Sequence, residues 1–154
     1  MGIASPTGSH LPVLEAEVRA AGAGLIIEHG AGLYSTPLLA RLGSRVLCCE
    51  PHAGWAEWAQ WIYDGNVEMA PSIEAALSRL SEAALVFLDG PAKERGVLLK
   101  ACLEFGVPTI IAHDTQRREW RYYDFKPFMF EAEKYVITHS AEDSHRATLW
   151  KLRA

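Results

Sequence analysis

Apolar residues recur at helical spacing at Leu11, Leu14, Val18 and Ala21, with Glu15, Glu17 and Arg19 between them, a pattern that predicts an amphipathic leading helix. The run GLIIEHG then reads as a short strand. After it, Thr36 suits an N-cap, Pro37 the first helical position and Gly43 the stop, so Leu25 to Gly43 reads as strand, turn and helix. The alternation continues down the chain. RVLCCE predicts a second strand, followed by a helix through Trp55, Trp58 and Ile62; NVEMA is a weaker third strand, after which Ser72 caps a helix carrying Ile73, Ala76, Leu77 and Leu80. ALVFLDG predicts the fourth strand, with a helix from Lys93 to Phe105 behind it, and PTIIAHD the fifth.

Strands that are apolar throughout and alternate with helices are buried on both faces, which predicts an α/β fold built on a doubly wound parallel sheet. The C-terminal part changes character. YVITHS and ATLWKLRA are two further strand candidates joined only by the polar AEDSHR, a link that suits an antiparallel hairpin and is too short for a parallel crossover.

A chain of 154 residues fits one domain, 1–154, with 1–23 as N-terminal segment and leading helix. Hydrophobic residues at 49% and charged residues at 22% are globular composition, and no apolar run approaches the ~18 residues of a membrane span. MGIASPTGSH lacks the basic region and apolar core of a secretory signal, and its GSH triplet is taken as native. Cys48 and Cys49 are neighbours pointing to opposite faces of a strand, Cys102 is the remaining cysteine, and neither a disulfide framework nor a zinc spacing follows. A reducing, cytoplasmic setting is the expectation. The net charge of −4 argues against a broad nucleic-acid surface and leaves room for a local basic patch.

Ligands of open parallel sheets sit beyond the carboxyl ends of the strands, where Glu28, Gly30, Glu50, Asp89 and Asp114 all fall. Gly30 and Gly32 permit a tight turn and close approach of backbone to ligand. In a dinucleotide fingerprint a third glycine would follow, and GAGLYS has Ser35 there. Glu50 ends the next strand, 18 positions after Gly32, where a carboxylate can accept hydrogen bonds from ribose hydroxyls. Glu28, just before the turn, suits a cationic ligand group and opposes a pyrophosphate. An ammonium-bearing ligand fits better than NAD, and a purely structural turn is the plain alternative.

EHGAGLYST, CCEP, FLDGP followed by Arg95, and IIAHDTQR together resemble the small class I S-adenosylmethionine-dependent methyltransferases, over roughly Leu25 to Leu152. The resemblance implies a Rossmann-like methyltransferase fold with an antiparallel seventh strand, S-adenosylmethionine as cofactor, and methyl transfer to an oxygen or nitrogen of a small molecule. It implies that Glu28, Gly30 and Gly32 serve the methionine end of the cofactor, Glu50 the ribose, that Met69 with Ala70 lies near the adenine, and that Ser35 and Asp89 also bind the cofactor; Met69 is equally a core methionine. A cofactor-binding module without catalysis, serving a partner protein, and a nicotinamide-dependent oxidoreductase are the competing readings.

Methyl transfer is an in-line displacement, so candidate catalytic groups orient the acceptor or take its proton. Asp89 and Asp114 could face one another across the cleft; with Thr115 or His113 they would offer ligands to a divalent cation such as Mg, as in the metal-dependent catechol-type branch, or they could cap turns. Thr115 stands where that branch commonly has an amide. His113 could act as general base, although strand alternation sends His113 and Asp114 to opposite sides. His10 could close over the cofactor or lie exposed. In TQRREWRYYDFKPFMF, Arg117, Arg118 and Arg121 interleave with Trp120, Tyr122, Tyr123 and Phe125, a combination able to hold an anionic or planar acceptor, with Arg95 nearby. Trp55, Trp58 and Trp61 either pack against the sheet or bury a subunit contact, which leaves a homo-oligomer open.

Overall fold

Ile26 and Ile27 are both fully buried, yet they belong to different cores on opposite faces of one sheet. That is why the strand candidates are apolar without alternation. The computed structural model describes residues 10–43, 45–63, 65–129, 133–140 and 145–154. The elements run α1 Leu11–Ala21, β1 Leu25–His29, α2 Ser35–Leu42, β2 Arg45–Cys49, α3 Ala53–Ile62, β3 Val67–Ala70, α4 Glu74–Leu77, β4 Ala83–Leu88, α5 Ala92–Phe105, β5 Thr109–Ala112, β6 Tyr135–His139 and β7 Thr148–Leu152.

The sheet order is β3-β2-β1-β4-β5-β7-β6. The first five strands pair in parallel, and β7 pairs antiparallel with both β5 and β6. This is the doubly wound, mostly parallel seven-stranded α/β sheet with an antiparallel C-terminal hairpin that the hydrophobic pattern predicts. Leu14 and Val18 of α1, with Leu38 and Leu39 of α2, cover one face. Leu98, Leu99 and Cys102 of α5, with Phe125 and Trp150, cover the other. Cys48 and Cys49 point to opposite cores, and all three cysteines are buried and free. Among the described residues no helix is long and apolar enough to cross a membrane.

Three local expectations are corrected. The helix after the glycine turn begins at Ser35, so Thr36 is not its N-cap; the Thr36 hydroxyl is drawn to Glu28 instead. The helix after β3 stops at Leu77, where the Ser78 hydroxyl donates to the Ala75 carbonyl, and a 3-10 turn takes over at Leu80–Glu82. On α3 Trp55 is 39% and Trp61 82% exposed, so packing against the sheet does not account for these two, whereas Trp58 is half-buried against Tyr63. The Arg117–Phe128 segment holds two 3-10 turns, Arg117–Glu119 and Lys126–Phe128. Residues 1–9 of the expected N-terminal segment, including Gly8 and Ser9, lie outside the described residues, as does part of the AEDSHR link.

Candidate functional site

At the end of β1 the chain must turn at once, and Gly30 does so with φ +88, its N–H donating to the Cys49 carbonyl at 2.9 Å. The chain crosses from one side of β1 to the other between β3 and β4, so this turn lies at the switch point where open α/β sheets place ligands.

Two carboxylates organise the turn. Glu28 is fully buried; its oxygens accept from the Ser35 hydroxyl at 2.5 Å and the Thr36 hydroxyl at 2.8 Å, and Thr36 in turn accepts from the Gly32 N–H at 2.9 Å. Glu28 therefore shapes the loop from beneath and does not line the open cleft. Burial pushes its carboxyl up to about 7, partly opposed by the two hydroxyl donors. Glu50 bridges two loops: Oε2 accepts from the Ala31 N–H and Oε1 from the His52 N–H, both at 2.8 Å. A carboxylate has about four lone-pair sites, so Glu50 keeps acceptor capacity for a ligand.

Above the turn lies a cleft of ≈ 270 Å³ walled by Gly32, Leu33, Tyr34, Ser35, Trp55, His10 and Asp89. Met69 does not reach it and packs on the core that holds Leu14 and Val46. His10 is 2% exposed, stacked on Phe87 and tilted against His113 with ring centroids 4.4 Å apart. It is thus neither terminal nor solvated. Burial, then the neighbouring His113, pull its imidazole down to about 4.

Beyond β4 and β5 the acidic candidates do converge. Asp89 Oδ1 lies 3.2 Å from both Arg95 Nη2 and His113 Nδ1. Asp114 adopts φ +55, which breaks strand alternation and brings its carboxylate 3.7 Å from His113 Nδ1 rather than to the opposite side. Arg95 is 5% exposed and spends its donors on Gly90 O, His113 O, Asp89 O and Asp89 Oδ1, with its face 4.1 Å from the Tyr123 ring centroid. It ties the β4 and β5 ends together instead of reaching out to a substrate.

The guanidinium lies 3.2 Å from Asp89 but 4.0 Å from Asp114, so its charge falls chiefly on Asp89. The Thr115 hydroxyl is buried between the Arg146 carbonyl and Thr148. Asp89, Asp114 and Thr115 therefore do not fit a magnesium site. Among the described residues, the group with metal-ligand spacing is a different one: His113, Asp114 and His145, whose ligand atoms lie within 4.8 Å of one another. His145 was missed by sequence reasoning because its partner Asp114 is 31 residues away. His29, bonded to Glu94 at 2.8 Å beneath Gly90, was missed for the same reason.

A second cleft of ≈ 560 Å³ is walled by Arg117, Trp120, Arg121, Asp124, Lys126 and Pro127. Trp120 is fixed by donating to the Thr115 carbonyl at 2.7 Å. Arg118 is not part of this wall and pairs with Glu119, and Tyr123 is half-buried over Arg95.

No protein-family model matches the sequence, and no curated protein matches it. Solved structures do match the fold. An rRNA methylase from Streptococcus thermophilus is 9% identical with TM-score 0.67, each chain covered over 100% of its length. A methyltransferase from Geobacter sulfurreducens is 17% identical with TM-score 0.69, over 92% of this chain and 78% of that one. A Streptococcus mutans protein solved in complex with SAH is 8% identical with TM-score 0.64, over 93% of this chain and 97% of that one. In strand order, in the antiparallel β7 and in its structural neighbours, the chain has the class I methyltransferase fold.

Proposed function

We propose that the protein is an S-adenosylmethionine-dependent methyltransferase acting on an oxygen or nitrogen of a small-molecule acceptor. The observation that carries this reading is the Glu50 carboxylate clasping the Ala31 N–H beside a cleft at the switch point of the sheet. It joins an acceptor of ribose hydroxyl hydrogens to a glycine turn open to a ligand. Ser35 stands where a dinucleotide fingerprint has its third glycine, and its hydroxyl is held by the buried Glu28.

S-adenosylmethionine bound in this cleft would supply an electrophilic methyl group. The chain's own contribution is placement and proton removal. Gly32, Ala31 and Glu50 hold the cofactor; Asp89, at the cleft wall, with His113 and Asp114 beside it, orients the acceptor and takes the proton it loses. Arg117, Arg121 and Lys126 around Trp120 favour an acceptor with an anionic or planar part.

Calorimetric titration with S-adenosylhomocysteine and with NADH tests the cofactor: binding of the first and not the second is expected. NADH binding alone would replace this reading with an oxidoreductase. Transfer of labelled methyl across a panel of acceptors then separates an enzyme from a binding module that serves a partner.

A further inference from the structure

We propose that His113, Asp114 and His145 form a binding site for one divalent transition-metal ion of the zinc or cobalt type, and that Asp89 is not among its ligands. The three offer two imidazole nitrogens and a carboxylate oxygen, all within 4.8 Å of one another, so that small side-chain rotations would bring them to the roughly 2.0–2.2 Å bonds of one ion.

Three features give the site its character. The ligands come from two elements, the end of β5 and the loop entering β7, and they meet because Asp114 takes φ +55 and turns its carboxylate toward both imidazoles. Its oxygens are divided: Oδ1 lies 3.4 Å from His145 Nδ1, while Oδ2 lies 3.7 Å from His113 Nδ1 and 4.0 Å from Arg95. Arg95 places its charge chiefly on Asp89, at 3.2 Å, which removes that carboxylate from the competition for an ion. Two imidazoles with one carboxylate select zinc, cobalt or another transition metal over magnesium, which prefers oxygen. Three protein ligands leave coordination positions open to water or another oxygen ligand, as in catalytic rather than structural sites. This inference does not rest on the methyltransferase reading, because ion binding is measured without cofactor.

The test uses the full chain, stripped with chelator and titrated with Co²⁺ alone, followed by visible absorption and calorimetry. Saturable binding of one ion per chain is expected, displaced by Zn²⁺ and not by Mg²⁺ at the same concentration. His145→Ala, at a half-buried position, and Asp114→Asn should each weaken it about tenfold or more, while Asp89→Asn should keep it within a few fold. Circular dichroism establishes that each variant is folded. Absence of saturable binding overturns the proposal. So does binding that His145→Ala and Asp114→Asn leave unchanged, which would belong to a surface histidine such as His52. Loss on Asp89→Asn as large as on Asp114→Asn would return the ion to the aspartate pair and overturn it as well. Failure of S-adenosylhomocysteine to bind while Co²⁺ still does would reject the cofactor reading and leave this site standing.

Discussion

Gly30 and Gly90 touch through bare backbone: a Cβ on Gly30 would stand 2.4 Å from the Gly90 Cα. This contact joins the loops that follow β1 and β4, the two strands flanking the switch point. The tight approach at Gly30 therefore serves the protein's own chain, whereas Gly32 lines the cleft. Gly30→Ala meets both a clash and a φ of +88, so a stability loss of roughly 2 to 6 kcal/mol is expected in denaturant titration, from strain and overpacking together. At Gly32 a Cβ would meet only the Ser35 hydroxyl, at 2.6 Å. Gly32→Ala should fold and bind S-adenosylhomocysteine more weakly; unchanged affinity would remove Gly32 from the cofactor site.

Glu50→Ala leaves the Ala31 and His52 amides without their acceptor. Charge-assisted hydrogen bonds of this kind contribute about 1.5 to 3 kcal/mol. Calorimetry should find S-adenosylhomocysteine affinity lowered by roughly tenfold or more, along with a lower unfolding midpoint. Normal affinity in the folded variant would show the proposed ligand orientation to be wrong.

Glu28 makes stability fall with rising pH. Its folded pKa of about 7 exceeds the usual 4.5, so between these values the native state keeps a proton the unfolded chain has released. Stability is thus lost as pH rises through that window and is level above it. His10 acts in the opposite sense: its folded pKa of about 4 lies below 6.5, so its contribution is lost as pH falls toward 4. Wild type superposes these slopes with those of His29 and His139, whose imidazole pKa values burial also lowers. Unfolding midpoints of Glu28→Gln across pH 5 to 8 should fall less with rising pH than those of wild type, and those of His10→Phe should fall less with falling pH. Parallel curves for all three proteins would refute both assignments.

Asp114→Asn tests chemistry apart from cofactor binding, since Asp114 stands beside His113 and not in the wall of the ≈ 270 Å³ cleft. Once an acceptor is found, the rate should drop by about 10² or more while S-adenosylhomocysteine affinity stays within a few fold. Wild-type turnover would shift attention to Arg117 and Arg121.

Repeating local pattern was enough to read the strand and helix order, because Ile26 and Ile27 report burial on two faces through their own hydrophobicity. The candidate site was legible only where chain position decides it, as for Glu50 and Asp89 at strand ends. Its wiring depends on distant partners that no periodicity encodes. Arg95 reads as a substrate ligand until Asp89, Gly90 and His113 are seen to use up its donors. Thr36 reads as an N-cap until Glu28 claims its hydroxyl, and Asp114 reads as facing away from His113 until its φ is known.

The placement of β7 has a consequence for how the molecule assembles. β7 follows β6 in the chain yet lies between β5 and β6, pairing Ile110 with Trp150 on one side and Ile137 with Trp150 on the other. Until β7 is made, β5 presents an unpaired, apolar edge to which β6 has no direct ladder to offer. Any partly folded form that lacks β7 would offer β5 as a template for another chain's strand, so docking of Trp150 closes the edge at which misassembly could compete.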